Sequence, residues 1–121
     1  MTATLSLNKQ EKVKKKQDFK VIFDAGKRYN NALISIVFTN QQKMADRVSA
    51  RRLGIIASRK VGNAVQRNRL KRLIREAFRV HKQDFKAPVD LVVILRPAAR
   101  ETDSRSLQTG FLELCKKAHL L

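Results

Sequence analysis

The chain predicts a single α/β domain of two layers, a sheet and its helices, on three observations. Segments rich in β-branched residues (33–39, 53–58 and 89–95) alternate with segments of helical period. The strand–helix–strand run from Leu53 to Leu95 requires a crossover, which implies a parallel pair. A chain of 121 residues that is 43% hydrophobic can bury one core but not two.

The elements follow in order. Residues 1–16 are polar and basic (Lys9, Lys12, Lys14, Lys15, Lys16) and are expected to form a flexible arm ahead of a domain over 17–121. A first helix starts near Asp18 and ends at Gly26, with Phe19, Ile22 and Phe23 on one face. Leu33 to Thr39 reads as a strand, with an extra short strand around Lys27 to Tyr29. Asn40 to Arg51 is a polar connection carrying Lys43, Arg47, Arg51 and a single acid, Asp46. Leu53 to Ser58 is the next strand, where Gly54 either weakens it or permits close backbone approach.

Lys60 to Asn63 forms a turn, and Asn63 is suited to cap the long helix that follows. That helix fades around Lys82 to Lys86, before Pro88. Val89 to Leu95 is an almost unbroken apolar run, the mark of a strand covered on both faces, and Pro97 ends it. A last helix starts near Asp103 or Ser104, with Leu107, Phe111, Leu114 and Ala118 in register and Gly110 weakening it.

The long helix carries most of the functional information. At about 100° per residue, Leu70, Leu73, Ile74, Ala77, Phe78 and His81 form one apolar stripe. Arg67, Asn68, Lys71, Arg72, Arg75, Arg79 and Lys82 lie opposite, with Glu76 the one acid near them. Like charges spaced at i,i+4 repel, so a solvated face normally mixes signs. Self-repulsion along Arg67, Lys71, Arg75 and Arg79 makes sense against a polyanion, whose phosphates neutralise it. The whole chain points the same way: Lys+Arg 27 against Asp+Glu 10 gives +17.

Other function classes find little support. No apolar run spans a bilayer, no secretory segment opens the chain, and Trp, the usual interfacial anchor, is absent. Cys115 is the one cysteine, which rules out an internal disulfide and fits a reducing compartment; cytoplasm is the expected location. His81 falls on the apolar stripe, and His119 with Cys115 is one weak pair rather than a zinc site. The acids are scattered without the spacing of a metal-binding or general acid–base pair, so neither catalytic residues nor a metal are expected on the protein itself. Phe19, Phe23 and Phe38 are candidates for stacking on unpaired bases, although phenylalanine at helical spacing is as readily core.

The segment Ala64-Val-Gln-Arg-Asn-Arg-Leu-Lys-Arg-Leu-Ile-Arg75 closely resembles the signature of the bacterial ribonuclease P protein component. The resemblance extends upstream to Leu53-Gly-Ile-Ile-Ala-Ser-Arg-Lys-Val-Gly-Asn63 and to Asp18-Phe19…Phe23…Gly26. Downstream it includes Asp90-Leu-Val-Val-Ile and Arg96-Pro97-Ala98. It implies an α-β-β-β-α-β-α sandwich similar to a ribosomal-protein domain, with a left-handed β-α-β crossover where general rules favour the right hand. It also implies the small subunit of a ribonucleoprotein that removes the 5′ leader from precursor tRNA. In such an enzyme the RNA subunit carries the active site and its Mg2+, and the protein binds no cofactor of its own, no small-molecule substrate and no membrane.

Carried over onto this sequence, Arg59, Lys60, Asn63, Arg67, Asn68, Arg69, Lys71, Arg72 and Arg75 match the motif that contacts the catalytic RNA, and Arg79 extends the same face. Phe19 and Phe23 match the aromatics lining a leader cleft. Phe38 matches a third, with Ile36 or Tyr29 replacing it if the register slips by one residue. Two other classes share the charge. One is a structural ribosomal-type RNA-binding protein without a role in cleavage. The other is a DNA-binding regulator, which would need more base-reading side chains than this phosphate-type face offers.

Overall fold

The computed structural model describes residues 12–13, 16–40 and 51–121. The elements run α1 (Lys16–Ala25), β1 (Lys27–Asn30), β2 (Ile34–Asn40), β3 (Arg51–Ile56), α2 (Ala64–His81), β4 (Val89–Leu95) and α3 (Ser104–Lys117). The four strands form one sheet in the order β1-β2-β4-β3, antiparallel except for the β3–β4 pair that α2 connects. The expected short strand at Lys27 is therefore a full sheet member.

Alternation along the strands sorts the core into two layers. Ile34, Ile36 and Phe38 of β2 join Leu91, Val93 and Leu95 of β4 beneath α2 and α3, which contribute Leu70, Ile74, Phe78, Leu107 and Phe111. On the other face Val37 and Val92 meet Ile22 of α1. This second layer is thin: Ile22 is the one buried residue of α1. Gly26, just beyond α1, lets the helix end lie against β2, because a Cβ there would run into the Ile22 carbonyl and Val37.

Both long helices are capped, α2 by the expected Asn63. Asn63 Oδ1 accepts the Gln66 amide at 2.9 Å while Gln66 Oε1 accepts the Asn63 amide at 2.9 Å, a reciprocal capping box. Gly62 precedes it with φ 153°, a conformation costly for any residue with a Cβ. Asp103 caps α3 by accepting the Ser106 amide at 2.7 Å, which holds its carboxyl below the usual range.

Four expectations need correction. The arm expected over 1–16 is tied down at one point: Val13 is buried and its amide donates to the Leu53 carbonyl at 2.9 Å. Residues 1–11, 14 and 15, like most of the 40–51 connection, lie outside the described residues, and α1 already starts at Lys16. Within the apolar stripe of α2, Leu70, Ile74, Ala77 and Phe78 are buried and His81 is half-buried, in keeping with its place on the stripe, whereas Leu73 is only half-buried. Lys82, expected on the cationic face, is buried in a short 3-10 turn after α2.

Candidate nucleic-acid interface

The cationic face is built on a pinned base. Arg59 and Lys60 are exposed in a 3-10 turn whose third residue, Val61, is fully buried, so the turn cannot roll its charges inward. The Asn63 capping box then fixes where α2 begins, and the buried stripe fixes its rotation. Asn68, Arg72 and Arg75 are exposed as a result, with Arg67, Arg69, Lys71 and Arg79 half-buried along their stems.

Within the described residues, Arg59, Lys60, Arg67, Arg69, Lys71, Arg72, Arg75 and Arg79 form no ion pair, whereas Arg52 pairs with Asp18 and Asp90. Glu76, exposed on the same helix, is not paired with them either. No acid among the described residues therefore offsets the charge of this face by an ion pair.

Three motif residues also have internal work, Arg67 among them through an Nε that donates to the Asn63 carbonyl at 3.4 Å. Asn63 spends its side-chain oxygen on the cap, leaving its amide nitrogen to donate outward. Arg69 donates from Nη2 to the Thr102 carbonyl at 3.2 Å and ties α2 to the loop before α3.

The aromatic candidates divide. Phe19 is half-buried on α1 against the sheet, and Phe23 is 37% exposed on the same helix. Phe38 does not join them. It is buried on the α2–α3 face and stacks on Tyr29 with ring centroids 6.0 Å apart. Strand alternation explains this, since Val37 and not Phe38 points at α1. Ile36 and Tyr29, the alternatives under a one-residue slip, are cross-strand partners on that same far face.

The two candidate surfaces converge at the edge of the sheet. A groove of about 310 Å³ runs along β3, lined by Lys12, Val13, Phe19, Leu53, Gly54, Ile55 and Arg75. Arg75 brings the cationic face of α2 to one wall, and Phe19 of α1 forms another. Gly54 makes the second wall possible, because a Cβ there would lie 2.8 Å from Phe19 Cε1. Of the two readings the sequence leaves open at Gly54, close approach is the one realised; no sequence signal marked Phe19 as its partner or Val13 and Lys12 as lining residues. Among the described residues no three His, Cys, Asp or Glu side chains gather as a metal site, and no helix is long and apolar enough to cross a membrane.

Comparison with known proteins gives one consistent result. A family model described as Ribonuclease P matches residues 7–119. A ribonuclease P protein component from Clostridium botulinum is 35% identical over 111 residues, which cover 91% of this chain and 96% of the relative. The solved RNase P protein of Staphylococcus aureus superposes with a TM-score of 0.83 at 34% identity, over 91% of this chain and 96% of that one. That of Thermotoga maritima gives 0.77 at 32% identity, over 88% and 96%.

Proposed function

The chain belongs to the ribonuclease P protein family, and from that premise we propose that it binds the catalytic RNA of the enzyme and the 5′ leader of precursor tRNA, assisting endonucleolytic removal of the leader. The observation that carries this reading is the exposed cationic face of α2, free of ion pairs among the described residues, continuing through Arg75 into the groove beside Phe19.

The physical chemistry divides the work between two surfaces. Arginine forks grip phosphate oxygens in pairs and lysine adds point charges, so Arg59, Lys60, Arg67, Lys71, Arg72, Arg75 and Arg79 hold structured RNA by its backbone. Phosphate contacts supply affinity without sequence preference, which suits an enzyme that meets many different leaders. An unpaired strand in the β3 groove would stack on Phe19, and Phe23 offers a second ring on the same helix.

In this reading the RNA subunit holds the active site, and its Mg2+ ions supply metal-assisted hydrolysis when bound. The protein's cations lower the repulsion between two polyanions and so favour both substrate docking and metal occupancy. Nothing in the role calls for a cofactor on the protein, and the reducing cytoplasm is the location that fits the lone buried Cys115.

The test is reconstitution with a bacterial ribonuclease P RNA at low magnesium. Adding the protein should restore 5′-leader cleavage of a precursor tRNA. RNA binding with no gain in cleavage would instead favour the ribosomal-type architectural role.

A further inference from the structure

We infer that Asp18 and Arg52 form a positioning clamp that sets the rotation of α1 and so seats the Phe19 ring on the backbone of Gly54. The inference rests on the proposal that Phe19 stacks on the leader, and it assigns to two residues outside that surface the task of holding it in place.

The need for a clamp comes from how little holds α1. A helix of 10 residues is marginal by itself, and this one buries only Ile22. Beside Ile22, Phe19 is the one other α1 side chain packed on this apolar layer, and it is only half-buried, so the apolar contacts fix the rotation of the helix weakly. Asp18 lies one turn before Ile22 on the same side and supplies the second anchor. Its Oδ2 accepts from Arg52 Nη1 at 3.2 Å, and its side chain is only 14% exposed.

Arg52 is itself rigid. Its Nε and Nη2 donate to the two oxygens of Asp90 at 2.6 and 2.8 Å, on the neighbouring strand, and its side chain is 7% exposed. The guanidinium therefore projects from the sheet as a fixed post, and Asp18 must come to it. Phe19 follows Asp18 directly in the chain, so the anchor that stops the roll acts beside the ring. The ring's tolerance is small, because Phe19 already lies so close to β3 that position 54 has no room for a methyl group. Rolling α1 either lifts the ring off Gly54 and opens the groove or drives it into the strand.

The experiment uses the holoenzyme assembled with a bacterial ribonuclease P RNA. Affinities are measured for precursor tRNA and for leaderless tRNA with wild type, Asp18→Ala, Phe19→Ala and the double variant; Asp18→Asn serves if the alanine variant does not fold. Asp18→Ala should cut the ratio of the two affinities by about threefold to tenfold, with protein–RNA assembly unchanged within about twofold. In the Phe19→Ala background it should have no further effect, because Asp18 acts through that ring. A folded Asp18 variant with its leader preference intact, or losses that multiply in the double variant, would overturn the clamp.

If Phe19→Ala alone leaves leader preference untouched, the stacking role fails instead. The clamp is then decided in the free protein, by the nuclear Overhauser contact between the Phe19 ring and Gly54. Its loss in Asp18→Ala supports the clamp, and its persistence refutes it.

Discussion

Arg52 and Asp90 face each other across the parallel β3–β4 pair, the guanidinium gripping both carboxylate oxygens in a site where the two residues are 5% and 1% exposed. The hydrogen bonds that Arg52 donates to Asp90 outweigh burial and hold its guanidinium above its already high pKa. In a chain carrying +17, this cation is used internally, while those of α2 are left to solvent. Removing Asp90 leaves the buried guanidinium with Asp18 at 3.2 Å and two donors without their acceptor. Asp90→Ala should therefore destabilise the fold by about 3–5 kcal/mol in denaturant unfolding. A loss under ~1 kcal/mol would mean that the pair is not structurally important.

Cationic and apolar sides of α2 should separate cleanly under mutation. Arg72→Ala should weaken assembly with the RNA subunit by about 1–3 kcal/mol while leaving the melting temperature nearly unchanged. Leu70→Ala, at a fully buried position, should cost about 2–5 kcal/mol of stability. Leu73 is the weaker choice for that comparison, being half-buried. Equal losses of stability in the two variants would refute the division of faces.

Gly54→Ala tests the groove wall. The added methyl meets the Phe19 ring and Val13, so overpacking should cost about 1–3 kcal/mol. The same change should reduce discrimination between precursor and leaderless tRNA. Normal stability would show that Phe19 is not pressed against β3.

Gly62→Ala should act through the backbone. At φ 153° the new Cβ is strained and collides with the Gln66 side chain, disturbing the capping box at the start of α2. We expect a loss of about 1–3 kcal/mol by thermal or chemical unfolding. An unchanged unfolding curve would mean the turn relaxes at no cost.

Cys115 should be chemically silent in the folded protein. Burial pushes its thiol up to about 12, against an ordinary value of 9.0, so the thiolate is scarce at neutral pH. Because the folded value is the higher one, its contribution to stability is complete below pH 9 and is lost as pH rises towards 12. Disulfide reagents should label it only after denaturant is added. Fast labelling of native protein would contradict the buried placement.

What the sequence revealed depended on how local the signal was. The unbroken run of β4 and the capped, two-faced pattern of α2 are written in neighbouring residues, and both elements formed where expected. β1 is four polar residues, Lys27–Asn30, which become a strand only by pairing with β2. Arg51 reads as the end of a polar connection and Arg52 falls between it and the strand from Leu53, because the partner that draws Arg52 inside, Asp90, is 38 residues away. Phe38 shows the limit most clearly. Alternation states that Phe38 and Val37 face opposite ways, but only the docking of α1 against Val37 determines which of them lines its side of the sheet.

The most direct measurement is the salt dependence of binding between this protein and a bacterial ribonuclease P RNA. If the α2 face and the turn before it neutralise about six to ten phosphates, affinity should fall ~10³–10⁵-fold between 50 and 200 mM salt. Arg72→Ala should then lower the log–log slope by about one. A nearly flat dependence, or a slope untouched by removing Arg72, would contradict the assignment of that face to RNA.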